Sequence, residues 1–284
     1  MKNNLSEENL LDEFKKKFDE KNILISELKS ELEITREKLY DSEHLKTKFL
    51  SIIRNELKNP VSAISGLSKL VAQKDFDSVD EIKNILKTIR LEAVRFSLQL
   101  DNVLAASSFE GGDNNLFLSV FDLEELINDV KNSYSDETEA REKEIYTEFK
   151  ESVKIYADRE KIKLAFKNIF DNAVKFSEKT VKINVFKKNN NILISFFNDG
   201  YEIQEKDHHK VFDRFNPINS GLSRKHCGVG LGLCVCSAVI DAHGGKIDFF
   251  SGKGSGTVFQ VELPLDENQG EGNDDSSDQG FVIL

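Results

Sequence analysis

The feature that most constrains this chain is a change of hydrophobic period near residue 110. Before it, apolar residues recur at helical spacing; after it, short β-rich runs alternate with helical stretches. From Leu11 to Ile53 the apolar positions Leu11, Phe14, Phe18, Ile25, Leu28, Leu32, Leu39, Phe49 and Ile53 form a broken heptad among Glu and Lys, with no Pro or Gly. This is the pattern of a long helix with a seam for a partner helix, interrupted at Lys21, Thr35, Ser42 and Lys46. A parallel dimer is favoured over a single amphipathic helix. Pro60 falls beside the next apolar run, Val61 to Leu67, and is expected to kink a helix there, because proline lacks an N–H and clashes with the preceding turn. A polar connection around Ala72–Ser78 leads to a second helix, about Val79 to Ser108. Two helices joined by a short turn make an αα-hairpin, and two copies make a four-helix bundle.

Glu110 to Asn115, with two adjacent glycines, is the clearest linker. Strand-like runs follow at Ile145–Phe149, Val181–Phe186, Ile192–Asn198, Lys246–Ser251 and Thr257–Leu263. Helical stretches at Leu123–Ser135, Asp158–Lys175 and Leu231–Ala242 lie between them. That mixture implies an α+β fold, a sheet with helices on one face. After Pro264 nothing remains to bury, and residues 265–280 are expected to be disordered; Phe281–Leu284 is either an unstructured end or a short docking peptide.

The net charge of −11 argues against nucleic acid or an anionic membrane as the main partner. More than half of it sits in Asp266–Leu284, which holds six acidic residues and no Lys or Arg. No stretch approaches the roughly 20 apolar residues of a membrane span, and the first residues lack a signal peptide's apolar region, so a cytoplasmic location is expected. Three cysteines make no disulfide framework; Cys234 and Cys236 are expected to be reduced and packed, with a redox sensor as the alternative.

Four motifs occur in one order. In Asn168-Ile169-Phe170-Asp171-Asn172-Ala173-Val174-Lys175-Phe176, Asn168 and Asn172 share one helix face, as do Asp171 and Lys175. Asn198-Asp199-Gly200-Tyr201-Glu202-Ile203 closes a strand. Val211-Phe212-Asp213-Arg214-Phe215 offers two aromatic anchors around an arginine able to reach phosphates. Gly228-Val229-Gly230-Leu231-Gly232-Leu233 runs into a helix, where free N–H groups and the helix dipole favour anions; it is neither a Walker loop nor a Rossmann turn.

Together with Phe49-Leu50-Ser51-Ile52-Ile53-Arg54-Asn55-Glu56-Leu57-Lys58-Asn59-Pro60, these motifs resemble the sensor histidine kinase family from about His44 to Leu263. The resemblance implies a coiled-coil linker helix at 1–42, a dimerisation and phospho-acceptor-like hairpin at 43–109, a linker at 110–115, an α/β-sandwich ATP-binding domain at 116–264 and an acidic tail at 265–284. It implies that Asn172 holds Mg²⁺, that Asn168, Lys175, Arg214, Gly228, Gly230 and Gly232 serve ATP, and that Asp199, with Gly200 admitting the base, accepts the adenine amino group. The family's second glycine after the aspartate is replaced by Glu202, which places bulk and negative charge near the base.

The resemblance places a histidine where this chain has Asn55. An imidazole nitrogen can take a phosphoryl group; a carboxamide nitrogen, its lone pair delocalised, cannot. Glu56 follows as the family's acidic residue does, and Glu56-Leu57-Lys58-Asn59 keeps the pattern tied to dephosphorylating a response regulator. His44, His208, His209, His226 and His243 are poor substitutes for the acceptor by position. The expectation is a homodimeric signalling protein that binds ATP and a response regulator receiver domain or another histidine kinase, without autophosphorylating. The alternatives are a response-regulator phosphatase using Glu56 and Asn59, and an ordinary kinase whose acceptor was replaced on purpose.

Overall fold

The structure is a computed structural model, and it describes residues 4–74, 76, 78–110, 115–200, 202–214 and 230–265. The chain divides into two units, Met1–Ile52 and Ile53–Leu284. The first is helical, part of α1 (Asn4–Gln73). Its apolar residues Phe14, Phe18, Ile25, Leu28, Leu32 and Leu39 are all exposed, as is every other residue of 14–40 whose burial is described.

The second unit takes up the rest of α1, followed by α2 (Val79–Glu110). In this part of α1, Ile53, Leu57, Pro60, Ile64, Leu67 and Val71 are the covered positions along one stripe. Their alternating spacing of four and three is the period that keeps one face inward. Pro60 belongs to that stripe and is buried, and the helix continues through it. Its missing N–H deprives the Glu56 carbonyl of a helical donor.

Beyond the linker the chain forms β1 (Leu118–Asp122), α3 (Leu123–Ser133), α4 (Ser135–Ala140), β2 (Glu144–Phe149), β3 (Lys154–Asp158), α5 (Arg159–Phe176), β4 (Thr180–Lys188), β5 (Asn191–Asn198), α6 (Gly232–Ala242), β6 (Lys246–Gly252) and β7 (Gly256–Pro264). A 3-10 turn, Glu205–Lys210, follows β5. The main sheet runs β2-β4-β5-β7-β6, antiparallel except for the parallel pair β2–β4; β1 and β3 form a separate antiparallel ribbon. Two aspartates start the helices: Asp122 accepts from the N–H of Glu124 and Glu125, and Asp158 from that of Lys161.

The core lies between the sheet's inner face and α3, α5 and α6. Ile183, Val185, Ile194, Phe196 and Val261 from the strands meet Ile162, Phe166, Ile169, Val235 and Val239 from the helices, all fully buried. Phe166 and Phe196 touch with ring centres 5.5 Å apart, and Tyr134 meets Phe170 edge-on at 5.4 Å. This is the expected α+β architecture. The ribbon β1–β3 and the short α4 are additions the hydrophobic pattern did not reveal. Residues 111–114 of the expected linker (110–115) and residues 266–284 of the expected tail (265–284), with its end at Phe281–Leu284, lie outside the described residues.

Candidate nucleotide site

α5 and α6, packed against each other, carry most of the site. α5 places Asn168 fully inside the protein and Asn172, one turn later, half-exposed. Asn168 does not face solvent. Its Nδ2 donates to the Leu164 carbonyl (3.0 Å) and to Asn102 Oδ1 (2.7 Å), and Asn102 Nδ2 donates back to Asn168 Oδ1 (2.7 Å). Both donors of the Asn168 amide are therefore spent within the protein, and only one oxygen lone pair is left. The direct nucleotide contact expected of Asn168 is reduced to that lone pair. Lys175, at the last turn of α5, lies over the Phe176 ring, 5.2 Å from its centre.

Asp199 sits just past β5. The consecutive N–H groups of Glu178, Lys179 and Thr180 all donate to its carboxylate, at 2.8 to 3.2 Å. Partial burial acts to raise its pKa, but these three donors outweigh it and hold the carboxyl below its ordinary value. Lys143 supports the same turn by donating to the carbonyls of Ser177 and Glu178. The adjacent Gly200 has a steric task within the fold. A Cβ there would lie 1.6 Å from the Phe176 carbonyl oxygen, so glycine lets the Asp199 loop pass the end of α5.

Past Gly200, Glu202 is half-buried, Ile203 N–H donates to Ser251 Oγ, and the Ile203 carbonyl meets His208 Nε2 at 2.9 Å. His208 and Phe212 both stack edge-on against Phe249. They are anchors for this loop, as the sequence suggested for the phenylalanine. His243 is likewise structural, bound to the Val239 carbonyl and the Asp158 N–H. Arg214 is exposed. Phe215, His226 and Gly228 lie outside the described residues.

The glycine run enters the described chain at Gly230, with φ +70°, and α6 begins at Gly232. Leu231 occupies the cap position, and its side chain makes no cap bond. Among the described residues the first-turn N–H groups thus have no side-chain cap, the condition for binding an anion. Gly232 abuts Asn168: a Cβ on it would stand 2.7 Å from Asn168 Oδ1. Cys234 and Cys236 on α6 are buried thiols in no disulfide, and burial pushes the Cys236 thiol far above its ordinary pKa. The packed-thiol reading holds for both.

In the hairpin, Asn55 and Asn59 lie one turn apart on the helix, off the buried stripe, and both are exposed. The side chain of Glu56 lies outside the described residues, as does that of His44. Among the described residues no helix is long and apolar enough to cross a membrane.

The sequence reading passed over Asn102. Its signal was present: Leu98, Asn102 and Ala106 are the buried positions of α2, one turn apart, and a carboxamide on such a face requires a partner.

Comparison with known proteins agrees with this geometry. Residues 157–267 match the histidine kinase-, DNA gyrase B- and HSP90-like ATPase family, and residues 45–112 match the His kinase A (phospho-acceptor) domain. The chain is 26% identical over 240 residues to the sensor protein KdpD of Clostridium acetobutylicum, covering 83% of this chain and 26% of that protein. It is 26% identical over 249 residues to the sensor histidine kinase WalK of Bacillus subtilis, covering 84% and 39% respectively. The chain thus spans well under half the length of these relatives. Among solved structures, the Acinetobacter baumannii histidine kinase AdeS shares the fold, with a TM-score of 0.51 at 21% identity, over 74% of this chain and 98% of AdeS.

Proposed function

The chain carries a phospho-acceptor domain followed by a histidine kinase-type ATPase domain and is homologous to the sensor histidine kinases, and from this premise we propose that it binds ATP as a homodimer without phosphorylating itself at the usual position. The observation that carries the proposal is Asn55, exposed at the acceptor position of an otherwise intact helix. A carboxamide nitrogen cannot displace the γ-phosphoryl group, so no N–P bond forms there.

The nucleotide site supports the binding half of the proposal. Asp199 is held ionised by backbone donors and presents an acceptor for an exocyclic amine. The uncapped start of α6 offers N–H groups to phosphate. Asn172 would hold Mg²⁺ through its carbonyl oxygen, a hard donor suited to an ion that keeps several waters. Lys175 and Arg214 stand on the same motifs as cationic partners for phosphate, and Mg²⁺ when bound would neutralise charge on the triphosphate. Gly230 and Gly228 belong to the phosphate cradle in this reading.

A second reading rests on Asn59. It is exposed one turn from Asn55, where its amide would orient a water against the aspartyl phosphate of a docked receiver domain, the P–O bond to the aspartate breaking as the new P–O bond forms. Glu56 would accept the water's proton. The docking partner in both readings is a receiver domain or a second kinase.

One experiment separates these activities. The protein is incubated with γ-labelled ATP and Mg²⁺, and a phosphorylated receiver domain is then added. Label on the protein sinks the proposal. Nucleotide binding without labelling supports it. Accelerated loss of phosphate from the receiver domain, abolished by Asn59→Ala, establishes the second reading. The codon at position 55 in the source gene decides whether asparagine is the natural residue.

A further inference from the structure

We infer that Asn102 is a positioning residue for the nucleotide site, coupling the docking of α2 to nucleotide binding through Asn168. The inference rests on the nucleotide-binding reading above and concerns how that site is governed.

Asn102 and Asn168 are 66 positions apart and both buried, at 6% and 4% exposure. They form a closed pair of hydrogen bonds, each amide donating to the other at 2.7 Å. The orientation of the pair is determinate. Asn168 Nδ2 also donates to the Leu164 carbonyl, and a flipped Asn168 would aim its oxygen at that carbonyl instead. Fixing Asn168 in turn fixes Asn102.

The oxygen that Asn102 holds in place is the atom closest to the start of α6. A methyl group on Gly232 would fall 2.7 Å from it, so Asn168 and the first residue of α6 are in direct contact. Asn168 therefore touches three helices: α2 through Asn102, α5 of which it is part, and α6 at the residue where the N–H cradle begins. Gln99, three residues before Asn102, is the other carboxamide on this stretch of α2, and its buried Oε1 has no hydrogen-bond partner among the described residues. Leu98 and Ala106, one turn to either side of Asn102, are apolar.

Farther back along α2, the same helix is tied to the ATPase domain by Arg95 and Arg90, which reach Glu137 and Asp136 of α4. Arg95 also faces the charge of Asp171 on the nucleotide motif. Asn102 reaches the same motif by direct hydrogen bonds to Asn168. Docked α2 thus preorganises the Asn168 carbonyl and the α6 terminus, and an undocked α2 removes both bonds to Asn102 and leaves the Asn168 amide held by the Leu164 carbonyl alone. By linkage, whatever binding gains from docked α2, docking gains equally from binding.

The test measures both directions. ATP affinity is titrated with Mg²⁺ for the full chain, for Asn102→Leu, which keeps the volume and removes both bonds, and for Asn102→Asp, which can accept from Asn168 but not donate to it. Hydrogen exchange is followed in α2 and in the first turn of α6, with and without ATP; thermal melts exclude unfolded variants. We expect both variants to weaken ATP on the order of five- to tenfold. ATP should slow exchange in α2 around Leu98–Ala106, and Asn102→Leu should speed exchange at Gly232–Cys236 even without nucleotide.

Unchanged affinity and unchanged exchange at α6 overturn the inference while leaving nucleotide binding standing. Tighter binding in the variants overturns it too, because α2 would then compete with nucleotide. If the full chain and both variants bind no ATP, the nucleotide reading itself fails and takes the coupling with it. Exchange at α6 in Asn102→Leu still reports whether the two helices communicate.

Discussion

Arg95 on α2 donates through Nη2 to the Glu137 carboxylate on α4 at 2.5 Å, and Glu137 is 2% exposed. A second guanidinium, that of Arg141, approaches the same oxygen at 2.9 Å. The other oxygen of Glu137 is buried with no hydrogen-bond partner among the described residues. Such a carboxylate is tolerated only while its cations remain. The pair therefore holds the helical hairpin to the ATPase domain by the cost of breaking it, more than by attraction.

Arg95→Met should accordingly destabilise the second unit by about 3 kcal/mol, at the low end for a broken buried pair because Arg141 stays. The double variant Arg95→Met, Glu137→Leu should recover much of the loss, since neither charge is then buried. Urea unfolding of the four proteins of this cycle measures both effects. Additive losses would show that the two side chains do not act as a pair.

Asp199 governs the acid limb of stability. Its folded pKa is depressed, so its contribution is fully present above the ordinary carboxylate value, roughly pH 4, and is lost as pH falls through the folded value. Asp199→Asn should flatten that limb and lower stability at neutral pH, because an amide accepts fewer N–H bonds. Chemical denaturation from neutral to strongly acid pH checks the slope.

Asp171 works in the opposite sense. Burial raises its carboxyl above the ordinary value, outweighing the opposing charge of Lys175. A raised carboxyl contributes stability below its unfolded pKa and loses it as pH rises through the folded one. Asp171→Asn should therefore raise stability at neutral pH and leave it nearly unchanged in acid, the reverse of Asp199→Asn. Melting temperature against pH for the two variants shows the opposite slopes directly.

Gly200→Ala should be among the most damaging single changes at the site. Its Cβ would lie 1.6 Å from a backbone oxygen, which cannot rotate away, so the Asp199 loop must shift; a loss of about 3 kcal/mol is expected. Gly232→Ala meets a side-chain oxygen instead and should cost less stability, while disturbing Asn168. Comparing unfolding free energy with ATP affinity for both variants separates the two glycines.

Buried thiols make the last case. Burial holds the Cys236 thiol protonated at any ordinary pH, and Cys234 donates its S–H to the Leu231 carbonyl. Neither should react with iodoacetamide in the native protein, and both should react after unfolding. Peptide mass spectrometry after alkylation at neutral pH reads this residue by residue.

Much of the architecture was legible in the sequence because the two periods are local properties. The helices of the hairpin, α3, α5 and α6, and the strands β2, β4, β5, β6 and β7 lie within a few residues of their expected bounds. The ribbon β1–β3 escaped because its strands are five residues each, β1 turns Leu118 and Val120 outward, and β3 buries only Ile155 and Ala157 on its inner apolar face. α4 escaped because Ser-Asp-Glu-Thr-Glu-Ala offers no apolar face; its place is set by Glu137 turning inward to Arg95 of α2 and to Arg141 at its own C-cap.

The sequence alone determined which groups the site possesses and which it lacks. Asn55 is a carboxamide wherever the helix places it, and Asn168 and Asn172 share a face of any helix that contains them. Only the tertiary structure decided what those groups are free to do. Asn168 proved to be bound to Asn102 and pressed against Gly232, and Asp199 to be held by a turn twenty residues before it. Helical and strand periods are fixed by steps of a few residues along the backbone. A hydrogen bond between side chains 66 positions apart depends on how separate elements close over one core, and no local pattern encodes it.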